Sequence, residues 1–228
     1  TISEFLAKIL RDNYQTENID VINLCMNSYA ISNEIQTFVH IGWNLNPDIV
    51  ISHTGWNDAL YSMFVPRNFI KHGIVYYIGQ EQWKDLLYGN KVKFKDIEDK
   101  MIKNFDEELF FTVTKNNLEK YNKIVEAAGG QLLVGLQPFN EHHYKDKTKY
   151  QKISLLNMKA ISNNLDQLKL NKINFDEYIN EFEFIDNIHT NTKGAELTAK
   201  LYSEFIIRNF KDLIKTKLGI VNNTNNSE

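Results

Sequence analysis

Two short apolar runs constrain this chain more than any other feature. Ile49, Val50 and Ile51 stand in a row behind Pro47, within Asp48 to Ser52, and a second run covers Gln131 to Pro138 (QLLVGLQP). Runs of this length without polar alternation read as strands covered on both faces, the kind found in parallel sheets. Parallel neighbours need long crossovers, so helices are expected between them. Helical spacing follows the capping-box start Thr1-Ile-Ser-Glu4, with Phe5, Leu6, Ile9 and Leu10 in register. It returns from about Ser32 to Gly42, over Thr112 to Ala128 before the Gly129-Gly130 stop, over Tyr150 to Leu170 and over Asn191 to Phe210. Two shorter strands are expected at Asp20–Leu24 and Ile173–Phe175. Strands alternating with helices predict an α/β domain with a parallel sheet and helices on both faces.

At 228 residues and 43% hydrophobic, the chain is long enough for one domain with a sizeable core, expected over 1–212. The polar tail 213–228, ending in NNTNNSE, is expected to be partly disordered. Between about 60 and 106 the spacing is irregular and aromatic, with Tyr61, Phe64, Phe69, Tyr76, Tyr77, Trp83 and Tyr88, and with a candidate extra strand at Ile74–Ile78. This reads as an insertion over the sheet edge. A net charge of -3, with both signs interspersed, offers no basic face for a phosphate backbone, so nucleic acid is not an expected partner. No run of about 18 apolar residues and no signal-peptide pattern occurs, so a soluble chain without a membrane span is expected. The lone Cys25 cannot form an internal disulfide, which leaves the compartment, cytoplasm or cell envelope, open along with the oligomeric state.

The chemistry-bearing residues sit after these strands. Gly55-Trp56-Asn57-Asp58 directly follows the first apolar run. Ligands of open α/β sheets bind beyond the carboxyl ends of the strands, which makes Asn57 and Asp58 candidates for function as much as for a plain turn. Asp186 and His189 stand three residues apart before the last helix, and such a pair can supply a general base and the carboxylate that orients it. Alone, D-x-x-H is more often a solvated surface histidine. In the order strand, G-x-N-D, long α/β stretch, D-x-x-H, helix, the chain resembles the SGNH hydrolases, or GDSL esterases and lipases, across nearly its whole length.

That resemblance implies a three-layer α/β/α flavodoxin-like fold and a serine esterase. It implies that Asn57 donates its amide to the oxyanion of the tetrahedral intermediate, that His189 is the general base and that Asp186 holds it. The loop after the Asp20–Leu24 run would complete the oxyanion hole with a backbone N–H, for which Ser28 is the candidate. Relatives usually carry glycines there, and this chain has Cys25, Asn27 and Ser28, so the loop must be shaped differently. The family's nucleophile lies in a G-D-S type motif between the first strand and the first helix, and no such motif occurs here. The first, central strand and its serine are therefore expected upstream of Thr1, and this chain alone is expected to be inert. Ser3, in a first helical turn with no preceding glycine, is expected to be structural.

Glu141-His142-His143 is a poor metal cluster, because adjacent histidines cannot both reach one ion and no partner stands at ligand spacing; no metal and no cofactor are expected. The loop opens on the active-site side, so His142 joins Trp56 as a candidate substrate contact, whereas His53 is expected to pack. The expected partner is a small-molecule or glycan ester. Removal or transfer of O-acetyl groups on a carbohydrate leads, because the aromatic insertion would suit a sugar face. A lipid or thioester hydrolase stays open, and so does a catalytically silent glycan-binding or assembly module, which the lost glycines favour.

Overall fold

The computed structural model describes residues 1–27, 29–61, 107–141 and 149–220. Both apolar runs are strands, β1 (Ile49–Thr54) and β2 (Gln131–Leu136), and with β3 (Asn171–Asn174) they form a parallel sheet in the order β1-β2-β3. The register runs from Ile49 opposite Gln131 to Thr54 opposite Leu136, and from Leu133 opposite Asn171 to Leu136 opposite Asn174. β3 begins two residues before the expected Ile173, and Phe175 already opens a 3-10 segment, Phe175–Glu181. Seven helices are described: α1 (Ile2–Tyr14), α2 (Ile31–His40), α3 (Trp56–Tyr61), α4 (Glu107–Ala127), α5 (Lys149–Asn163), α6 (Thr192–Asn209) and α7 (Lys211–Lys217).

The helix ends follow their signals. Thr1 caps α1, with Glu4 N donating to Thr1 Oγ1 at 3.4 Å and the terminal ammonium reaching Glu4 at 2.6 Å. Asn191 caps α6 by accepting from the Lys193 and Gly194 amides at 2.9 and 3.1 Å. α5 stops at Asn163, short of the Leu170 that its periodicity predicts. Asn164 leaves helical geometry (φ -109°, ψ 10°), a 3-10 turn covers Leu165–Gln167, and the Lys172 ammonium takes up the Leu165 and Leu168 carbonyls at 2.7 and 2.8 Å. Leu165 and Leu168 remain buried, so the apolar spacing survives although the helix does not.

Asp20–Leu24 is not a strand. A strand exists only where its backbone groups pair with a neighbour, and apolar composition alone does not provide one. Arg11 instead reaches from α1 to the preceding segment, its Nε donating to Ile19 O at 2.8 Å and a terminal nitrogen to Asp20 Oδ1 at 3.4 Å, while Ile22 stays exposed.

The described chain divides into two compact units. The sheet unit comprises Leu24–Ile179 with Asp186–Ile188 and holds β1–β3 and α2–α5. Alternate strand residues, Val50 from β1 with Leu132, Val134 and Leu136 from β2, meet Ile31 and Phe38 of α2, Leu118, Tyr121 and Val125 of α4, and Met158 and Ile161 of α5 in one core. Leu133 and Ile173, pointing the other way, are buried as well, as strands covered on both faces require. Each fully buried Leu or Ile here contributes about 1.5–3 kcal/mol over its exposed state. The helical unit comprises Thr1–Asn23, Asn180–Ile185 and the chain from His189 onward. In it α1 packs along α6 and the two bury Leu6, Leu10, Leu201, Tyr202 and Ile206.

Candidate active site

β1 ends at Thr54 and the chain reverses into α3 through Gly55, at φ +130°. A Cβ at that position would stand 2.6 Å from Leu136 Cδ1 and 3.3 Å from Met158 Cε. The turn thus needs a residue that tolerates positive φ and has no side chain, which is glycine. It sets Trp56, Asn57 and Asp58 in the first turn of α3. Trp56 is only 6% exposed and belongs to the core of the sheet unit, so its visible work is packing.

Asn57 points its amide back at the loop before α2, with Nδ2 donating to the Tyr29 carbonyl at 2.8 Å. Ser28, the candidate second donor, lies next to Tyr29 in sequence but outside the described residues. Asp58 is fully buried. Both of its oxygens lie 3.2 Å from the Ile31 amide, and Oδ2 accepts from the Thr54 hydroxyl at 3.0 Å. α2 begins after Ala30, whose side chain can accept nothing, so Asp58 supplies from a distant point in the chain the acceptor a helix N-terminus needs. Its negative end also meets the positive pole of the helix dipole.

Glu34, one turn into α2, accepts from Ser52 Oγ at 2.5 Å, with the Thr54 hydroxyl on the same face of β1. Burial raises its pKa above the ordinary carboxylate value, against the pull of the two hydroxyls. Asp58 is pushed up to about 7, first by burial and then by the charge of Glu34. Burial, followed by the Glu34 charge, also raises the Tyr121 phenol and the Cys25 thiol. This cluster escaped the sequence reasoning. Its signal was Ser52 and Thr54, two polar residues two apart in an apolar strand and therefore on one face.

The Asp186 segment belongs to the sheet unit. Asp186 Oδ1 accepts from the Ile188 amide at 2.9 Å, Asn187 O from Asn140 N at 2.7 Å, and Ile188 O from the Gln137 side chain at 3.4 Å. Gln137 N in turn donates to Thr54 O at 2.8 Å. Asp186–Ile188 is therefore fastened to the same carboxyl end of the sheet that carries the Gly55 turn. His189 belongs to the helical unit, where it is exposed. There its carbonyl accepts from Ile185 N at 2.7 Å, beside an antiparallel bridge between Phe184 and Thr190 and two residues before the cap of α6.

Among the remaining candidates, His53 is half-buried on β1 with its ring edge-on to Phe175, 5.7 Å between centroids, and burial lowers its pKa to about 4. Glu141 pairs with Lys159, whereas His142 and His143 lie outside the described residues, as do most of the aromatic insertion, the Ile74–Ile78 strand candidate and the last residues of the polar tail. Among the described residues no three His, Cys, Asp or Glu side chains are grouped to hold a metal ion, and no helix is long and apolar enough to cross a membrane.

No family model matches the chain, and no curated protein matches it in sequence. Solved structures do. A GDSL-like lipase from Parabacteroides merdae superposes with a TM-score of 0.54 at 13% identity, over 88% of this chain and 79% of that one. A GDSL-like lipase from Bacteroides thetaiotaomicron gives 0.50 at 15% identity, over 91% and 84%. An acetyl xylan esterase gives 0.46 at 14% identity, over 89% of both chains. With identities this low, what is shared is architecture: the chain has the α/β fold of the GDSL-like lipases.

Proposed function

We propose that this chain is the base-bearing and oxyanion-bearing part of an SGNH-type serine ester hydrolase. The observation that carries this reading is the convergence at one end of the sheet unit: the Gly55 turn with Asn57 and the hydrogen-bonded Asp186–Ile188 segment both sit at the carboxyl ends of β1 and β2. In this reading Asn57 uses one amide hydrogen to hold Tyr29 O and offers the other to the oxyanion. His189 takes the proton of the nucleophile, and Asp186 keeps the imidazole in the required tautomer. Ser28 contributes its backbone N–H. The nucleophile is a serine brought to this end of the sheet. The substrate is an acyl ester, with O-acetylated carbohydrate as the first choice because of the aromatic stretch at 60–106 and the candidate contact His142.

A second reading, a silent glycan-binding or assembly module of the same fold, is favoured by one observation: the Asn57 amide already has a structural partner in Tyr29 O. Labelling with a covalent serine reagent separates the two. An ester hydrolase of this kind should be labelled and should hydrolyse acetyl esters. A full-length protein that takes no label supports the module instead.

A further inference from the structure

The backbone leading into α2 is held by side chains at three consecutive residues. The Tyr29 carbonyl accepts from Asn57 Nδ2 at 2.8 Å, the Ala30 amide donates to Asn33 Oδ1 at 3.2 Å, and the Ile31 amide stands 3.2 Å from both oxygens of Asp58. Asn57 and Asp58 are neighbours in the first turn of α3, so one turn grips this segment twice, from 28 and 27 positions away. The two grips differ in how far they can yield. Ala30, Ile31 and Asp58 are all buried, and Asp58 Oδ2 also takes the Thr54 hydroxyl at 3.0 Å, which pins the carboxylate to the end of β1. Asn57 is half-buried, and the last torsion of an asparagine is broad, so its amide turns to wherever its partner stands.

A side-chain amide is planar and carries two hydrogens. With one of them committed to Tyr29 O, the direction of the other is fixed by where that carbonyl lies. The carbonyl in turn lies two residues from the Ile31 amide that Asp58 holds. We propose, on the reading of Asn57 as an oxyanion donor, that Asp58 is a positioning residue: it acts through the Tyr29–Ile31 segment to aim the second Asn57 hydrogen at the oxyanion, with Asn33 as the supporting contact. Asp58 touches no substrate and moves no proton in this role. Its leverage comes from preorganisation, since a donor lowers the barrier only if it is already in place when charge develops, and a misplacement of about 1 Å can cost about 100-fold.

Two readouts test it. The proton–nitrogen correlation signal of the Asn57 side-chain amide needs no substrate. In the parent protein the hydrogen bonded to Tyr29 O should lie downfield of its geminal partner; in Asp58→Ala it should move toward the position of a solvated amide, and Asp58→Asn, which keeps an oxygen for the Ile31 amide, should bring it back. The second readout is hydrolysis of an acetyl ester. There kcat of Asp58→Ala should fall by about tenfold to 100-fold with KM nearly unchanged, and adding Asp58→Ala to Asn57→Ala should cost little more, because no donor is left to aim. A merely structural Asp58 would multiply the two losses. A folded Asp58→Ala with an unmoved Asn57 signal overturns the proposal, and so do losses that multiply. A parent protein that hydrolyses no ester removes the oxyanion role of Asn57, and the amide signal then decides the positioning claim alone. Should Asp58→Ala not fold, Asn33→Ala carries the first readout: a displaced Asn57 signal supports the segment as the positioning element, and an unmoved one overturns it.

Discussion

Gly55→Ala should be among the most damaging single-methyl additions available in the sheet unit, and its cost can be worked from geometry. At φ +130° an L-residue is strained, which costs of order 1–3 kcal/mol. The new Cβ would also stand 2.6 Å from Leu136 Cδ1 and 3.3 Å from Met158 Cε. Leu136 and Met158 are buried in the core, so neither can swing into solvent, and overpacking of that kind costs about 1–3 kcal/mol. The sum is about 2–6 kcal/mol, a large part of the roughly 5–15 kcal/mol that holds a domain folded. Gly129→Ala is the internal control. Its φ of +85° is also left-handed, but nothing lies within 4 Å of its Cβ, so only the conformational cost of about 1–2 kcal/mol remains. Urea unfolding of both variants, followed by tryptophan fluorescence, measures the difference. If Gly55→Ala costs no more than Gly129→Ala, the close packing assigned to the turn is wrong.

In the helical unit, Asn191→Ala removes the acceptor for two amides at the start of α6 and should cost about 1 kcal/mol in urea unfolding, and Asn191→Ser, which keeps a capping acceptor without setting a second carboxylate against Glu183, should restore part of it. His53 contributes an acid limb to the pH profile of stability: its folded pKa of about 4 lies below the ordinary 6.5, so the unfolded chain binds the extra proton and stability is lost as pH falls from about 6.5 toward 4. His53→Phe should remove that contribution and leave unopposed the opposite trend of Asp58, whose raised pKa loses stability as pH rises from about 4 to about 7. Persistence of the acid limb in the variant would assign it to other groups.

Most of the architecture was legible because it rests on local signals. The Ile49–Ile51 and Leu132–Leu136 runs had no polar alternation to suggest any other element, and the Thr1 and Asn191 caps announced their helices. Asp20–Leu24 misled because its apolar residues state a preference, while strand formation depends on a partner that no single segment encodes. α5 ended early because Lys172, beyond the helix, satisfied carbonyls that the periodicity had assigned to further turns. The candidate site was legible only as motifs, G-x-N-D for Asn57 and Asp58 and D-x-x-H for Asp186 and His189. What could not be read was the role of Asp58 as the distant cap of α2, since Asp58 stands 27 positions from Ile31 and meets it only once the sheet is assembled.

The measurement that bears most directly on the central claim is the steady-state hydrolysis of an acetyl ester by the natural full-length protein beside its Asn57→Ala variant. An amide that stabilises the oxyanion acts in the transition state and little in the ground state, so kcat should fall about 100-fold or more with KM nearly unchanged. A matched circular dichroism spectrum of the variant would show that the loss of the Tyr29 O contact has not unfolded the turn. A variant that is folded and keeps its kcat within about twofold of the parent would contradict the assignment of Asn57, and with it the ester-hydrolase reading of this end of the sheet.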